Sequence, residues 1–204
     1  EQELIFPRNY QQEQINDPIF IRRNSHENFK FIKVDNIKKE IEIKSGNWII
    51  NNPLITPIGY KLVINQDTEI KLKEEGMIIS KGPLQIRGTK KKPIKIIGKD
   101  GGKGILVLNA KKESIVENVV FSNLSVPKYS SLSISGAVTF FKSPVRINSA
   151  KFTDNNSEDA LNLFRSDFYI SNATFLRTSS DALDLDFSNG TIESSNFEQL
   201  GNDA

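Results

Sequence analysis

The chain has no cysteine, a single histidine, a single methionine and a single tryptophan among its 204 residues. Without cysteine there is no disulfide, no thiolate zinc site and no sulfur nucleophile. The lone histidine, His26, stands in a polar stretch ahead of any repeat. Neither a Ser-His-Asp triad nor a multi-histidine metal site can be assembled, and His26 is expected to be an inert surface residue. No run approaches the roughly 20 apolar residues that cross a bilayer, so no membrane span is expected. Residues 1–10 have neither a basic n-region nor an apolar h-region, and any export signal is expected to have been removed or to lie outside this chain.

What is present is unevenly distributed. The formal net charge of +2 conceals a basic half and an acidic half: residues 1–112 carry 21 Lys+Arg against 13 Asp+Glu, and residues 113–204 carry 6 against 12. Nucleic-acid binding would need the positive charge on one face with stacking aromatics. The lysines instead fall at turns and alternate strand positions, as in Lys90-Lys91-Lys92, so a solvated surface and no nucleic-acid partner are expected.

The dominant signal is an internal repeat. One unit reads Val145-Arg146-Ile147-Asn148-Ser149-Ala150-Lys151-Phe152, a polar turn, then Asp159-Ala160-Leu161-Asn162-Leu163-Phe164. The next reads Phe168-Tyr169-Ile170-Ser171-Asn172-Ala173-Thr174-Phe175, a turn, then Asp181-Ala182-Leu183-Asp184-Leu185-Asp186. A third begins at Thr191-Ile192 and reaches Phe197 and Asp203. Apolar and polar residues alternate over short runs broken by Ser, Asn, Asp and Gly, which is strand patterning. A fixed spacing of 22 to 23 residues between like side chains distinguishes a solenoid from a sandwich, because each coil must lay its apolar positions on those of its neighbour. Parallel strands joined by crossovers wind right-handed. The expected fold is therefore all-β: a right-handed, single-stranded parallel β-helix with coils of about 22 residues. Residues 46–204 form the helix, and residues 1–45 are a linker or flanking segment with short strands near Phe29 and Glu40. Residues 124–135 interrupt the spacing and are expected to leave the column as a loop. The last coil stops short of the Leu that follows in the two preceding it, so further coils or a cap are expected beyond residue 204.

These repeats, with Pro57-Ile58-Gly59-Tyr60, Gly82-Pro83-Leu84 and Gly88-Thr89 before Pro93-Ile94, resemble the bacterial right-handed parallel β-helix repeat proteins. That group shares its stacking with carbohydrate-binding and sugar-hydrolase helices of the pectin lyase-like kind. The resemblance implies an exported or cell-surface protein that contacts polysaccharide along one face of the column. The run Ser157-Glu158-Asp159-Ala160-Leu161 and its counterpart at 180–186 also resemble helices found beside a CotH-like kinase domain in surface proteins, implying a partner domain upstream. Polygalacturonase-type members pair aspartates with a histidine, and epimerase-type members use an Asp-Pro-His-Asp cluster; the repeats here contain no histidine. Pectate-lyase-type members use calcium-binding aspartates with an arginine or lysine base, and those residue types are all present.

Alternation sends Leu161, Leu163, Leu183 and Leu185 inward, so stacking makes two outward columns: Thr139, Asn162 and Asp184, and beside them Phe141, Phe164 and Asp186. Polar groups next to aromatic faces suit a sugar, whose hydroxyls need hydrogen-bond partners and whose C–H face stacks on a ring. Equally, the two Phe residues can pack beneath the inserted loop. The turn aspartates Asp159, Asp181 and Asp203 are expected to accept backbone N–H groups without a metal or cofactor, with calcium as the alternative. Arg165 and Arg177 lie near them, but arginine stays protonated and makes a poor base. Asp184 and Asp186, about 7 Å apart on one strand, permit paired-carboxylate chemistry without identifying it. No catalytic residue is assigned. The leading expectation is a binding or scaffold module. A polysaccharide lyase or hydrolase and a purely structural stalk are the alternatives.

Overall fold

The computed structural model describes residues 23–127 and 134–203. Its parallel coils stack into a β-solenoid of about 7 turns, with about 23 residues per turn. The coils build three faces, and in two of them a single long strand serves both the first and the second face. The first face runs from Glu40–Ile43 through Lys61–Asn65 and Leu84–Arg87 to the front of Ser114–Ser122 and Val145–Thr153, then Phe168–Ser171 and Gly190–Glu193. The second runs from Gly46–Ile50 through Thr68–Lys73 and Ile94–Lys99 to the rear of those two long strands, then Thr174–Leu176 and Asn196–Glu198. The third is a separate six-stranded sheet that ends with Gly136–Phe141, Asp159–Phe164 and Asp181–Asp186.

Turning the chain at each corner without a long loop requires a left-handed residue. The later coils place one at each of the three corners: Asn118, Ser149, Asn172 and Ser194 between the first and second faces, Asn123, Asp154, Arg177 and Gln199 between the second and third, and Asn109, Lys142, Arg165 and Phe187 between the third and first. Short polar side chains tolerate that conformation best. Arg177, Lys142 and Phe187 occupy it against local preference, held there by the strands on either side.

Inside, the expected columns are present. Ile147, Ile170 and Ile192 are register partners, and the rings of Phe121, Phe152, Phe175 and Phe197 stack with centroids 5.0, 4.8 and 4.9 Å apart. The same position in earlier coils holds Trp48, Ile70 and Ile96. At the corner from the third face to the first, serine hydroxyls tie the coils together. Ser143 Oγ accepts the Ala110 N–H at 2.9 Å, Ser166 Oγ that of Ser143 at 3.0 Å, and Ser188 Oγ that of Ser166 at 3.0 Å.

Two boundaries differ from those read in the sequence. The column takes in residues upstream of Gly46: Glu40–Ile43 pairs in parallel with Lys61–Asn65, and Ile32–Asp35 folds back antiparallel on it. Phe31 stacks on Trp48 at 4.9 Å, closing that end of the interior. These short strands escaped the repeat because no like residues stand one coil before them. His26 is not a surface residue. It is buried, with Nδ1 lacking a partner among the described residues, beside Ser25, whose backbone N–H donates to Ile55 O on the outer strand of the third face. Leu124 also stays in the column, fully buried, and Ser125 bridges to Asn156, so the insertion begins later than expected. Residues 128–133 of that loop lie outside the described residues.

Candidate functional site

The third face carries the two predicted columns in register. Thr139 pairs with Asn162 and Asn162 with Asp184; Phe141 pairs with Phe164 and Phe164 with Asp186. Followed toward the entrance, the first column becomes Leu106, Ile79 and Ile55, and the position before Phe141 is Leu108. An outward-facing apolar stripe must be covered, and it is. Ile55, Met77, Ile79, Leu106, Leu108 and Phe141 form a second hydrophobic cluster outside the main core, with Ile134 from the end of the insertion and Phe164 packed against it.

In this cluster Phe141 is packed, as the alternative to an open surface expects, with Ile134 of the insertion against it. Thr139, Asn162 and Phe141 are only 2%, 5% and 7% exposed. Their polar atoms are already engaged: Thr139 Oγ1 donates to Gly136 O at 3.2 Å, and Asn162 Nδ2 donates to Asp184 Oδ2 at 2.8 Å. Gly136 permits that packing. A Cβ there would lie 2.7 Å from Asn162 Cβ and 2.8 Å from Thr139 Oγ1, so a side chain would push both residues out of place.

The open part of the face is the far end, at Phe164, Asp184 and Asp186. Here the structure adds two residues that the sequence reading did not place in the site. Phe187 is 79% exposed and meets Phe164 edge to face, with centroids 5.9 Å apart. The Arg165 guanidinium carbon lies 5.3 Å from the Phe164 centroid and 5.4 Å from that of Phe187, a cation set against both rings. Both residues are left-handed corner residues, and this displaces them from the strand alternation by which outward positions are read. Burial holds the Asp184 carboxyl above its ordinary value, and repulsion from Asp186 adds to this, while the amide of Asn162 works against it.

The turn aspartates divide. Asp181 behaves as expected: it accepts the Asp203 N–H at 3.0 Å and the Asn202 amide at 2.9 Å, and these bonds hold its carboxyl low. Asp159 does not. It is 2% exposed, Oδ2 has no partner among the described residues, and burial pushes its carboxyl up to about 6. Among the described residues no group of three or more His, Asp or Glu side chains is placed to hold a metal ion. Arg177 is committed elsewhere: it grips Asp154 with two bonds of 2.6 and 2.8 Å, which raises its already high pKa and removes it as a base.

The arrangement can stack a planar apolar face on Phe187, which Phe164 supports edge to face, and offer two carboxylates and a guanidinium to hydroxyl groups. No family model, no curated protein and no solved structure matches this chain. What stands is the class of architecture, a parallel β-solenoid.

Proposed function

We propose that the chain is a non-catalytic binding module that contacts a carbohydrate chain at the Phe164, Phe187, Asp184 and Asp186 end of the third face, within a protein that acts at the cell surface or outside it. The observation that carries this reading is the exposed Phe187 ring standing beside Phe164 and Arg165, with Asp186 next to it in the chain and Asp184 two residues further back on the same strand. A sugar ring presents a C–H face to an aromatic ring and equatorial hydroxyls to carboxylate acceptors, and this surface has both partners on a rigid element. Thr139, Asn162 and Phe141 act beneath it as the packed floor that fixes Asp184 and Phe164.

Catalysis is the less favoured reading. A calcium-assisted lyase needs a base of lowered pKa, and Arg177 is ion-paired while Arg165 stacks on two rings. The test is a glycan array followed by titration of the best oligosaccharide into the chain and its Phe187→Ala variant. Loss of the ring is expected to weaken binding by about 1 to 2 kcal/mol, the scale of an aromatic contact with a desolvated partner. Unchanged affinity in Phe187→Ala, or no glycan bound by the parent chain, removes this site from consideration.

A further inference from the structure

A second groove lies at the opposite end of the molecule, on the corner from the third face to the first, where the first four coils turn. It encloses about 370 Å³ and is lined by Lys38, Lys39, Lys61, Lys81, Lys111 and Lys112, with Glu40 as the one carboxylate. Glu40 is taken by Lys61 at 2.7 Å, and Lys38 reaches Asp35 at 3.9 Å. Lys39, Lys111 and Lys112 are exposed and meet no carboxylate among the described residues. Other lysines of the basic half are matched on the remaining faces, as in Lys71 with Glu69, Lys73 with Asp100, Lys92 with Asp67 and Lys103 with Glu75. Part of the positive charge of the basic half thus lines one concavity, and concave walls focus its field.

We propose that this groove is a binding site for an acidic polysaccharide, whose carboxylate or sulfate groups meet Lys39, Lys111 and Lys112, which no carboxylate of the described residues meets. The inference stands on the lysine cluster and does not depend on the aromatic site. Ile58, Gly59, Gly82 and Pro83 form the floor between the ammonium groups. Ile58 is 77% exposed, and Gly59, at φ +78, has nothing within 4 Å of where a Cβ would stand. A low apolar floor accepts the C–H face of a sugar ring. Among the described residues its lining holds no aromatic side chain on which a nucleic-acid base would stack, and lysine offers point charges with no guanidinium fork for a phosphate. The lysines come from four successive turns of this corner, so the groove suits a chain that carries several anions.

The experiment is calorimetric titration of the full chain with uronic-acid hexamers and with sulfated hexamers as separate arms, a neutral glucose hexamer and a single-stranded oligonucleotide serving as controls. Lys111→Glu/Lys112→Glu tests the groove, and Lys90→Glu/Lys91→Glu applies the same charge change at an exposed turn elsewhere. An acidic hexamer is expected to bind, to weaken as salt rises, and to lose at least about tenfold in affinity in the groove variant only, since reversing two convergent charges removes their attraction and adds repulsion. Whichever acidic arm binds tighter identifies the anion. In parallel, the bound hexamer is expected to protect Lys39, Lys111 and Lys112 from acetylation in the unaltered chain. Equal losses in the two variants, tighter binding of the oligonucleotide, or no binding of either acidic hexamer with no protection would each overturn the proposal.

Discussion

At the scale of single residues, the interior phenylalanines and the buried aspartate allow opposite tests. Phe175 is fully buried between Phe152 and Phe197, so Phe175→Ala opens a cavity that the fixed coil spacing cannot close. Denaturant unfolding is expected to show a loss of about 3 to 5 kcal/mol, and a loss below about 1 kcal/mol would mean that the stack does not carry the core. Asp159 works through protonation. Its carboxyl stands at about 6 in the folded chain against an ordinary 3.8, so the native state binds the proton more tightly than the unfolded state. The resulting stabilisation is complete below the unfolded value and is lost as pH rises through the folded one. Relative to Asp159→Asn, the unaltered chain is expected to gain up to about 3 kcal/mol on acidification from about pH 7 to about pH 4. A pH-independent difference between the two melting curves would place the carboxyl in water. Asp181 has the reverse sign: its carboxyl is held low by the Asp203 N–H, and its contribution is lost only on further acidification.

At the scale of elements, the serine ladder shows how one coil specifies the next. Ser166 Oγ accepts the Ser143 N–H, and its single proton is shared between Phe164 O and Phe140 O at 3.0 and 2.9 Å. Ser166→Ala leaves the buried Ser143 amide without a partner, and thermal or denaturant unfolding is expected to register about 1 to 3 kcal/mol. An unchanged midpoint would show that the strands alone fix the corner. The interior was legible from sequence because side-chain period and coil length reinforce each other: Ile147 above Ile170 and Phe152 above Phe175 follow directly from a 23-residue offset. The site was legible only in its register. Strand alternation tells inward from outward, and an outward position is either open or covered: Phe141 is packed, as one of the two readings has it, and Asn162 is buried with it. The apolar stripe of Leu106, Ile79 and Ile55 that continues the Thr139 column marks that part of the face as covered. Phe187 and Arg165 were missed, since a left-handed residue at a corner falls outside any two-residue alternation. The entrance strands were legible as short strands near Phe29 and Glu40 but not as part of the column, because Phe31 and Trp48 close an end, and an end does not repeat.

At the scale of the whole molecule, stability is close to a sum over neighbouring coils, so it need not be uniform along the axis. Val145–Thr153 has a parallel neighbour on both sides, with Ile147 and Phe152 fully buried, whereas Ile32–Asp35 pairs antiparallel on one side and buries no residue fully. Hydrogen exchange is expected to be slowest in Val145–Thr153 and its neighbours and faster in Ile32–Asp35. Uniform protection from Ile32 to Thr153 would instead indicate one all-or-none unit. The repeated corners carry a further consequence. Because each later coil turns through the same three left-handed positions and keeps the same register, copying one coil within the gene would lengthen the column by about 4.8 Å without turning any face. The lysine groove and the Phe187 patch would move apart by one rung and keep their bearings. The column is a graduated ruler, and coil number is a heritable setting for the distance between two points of contact.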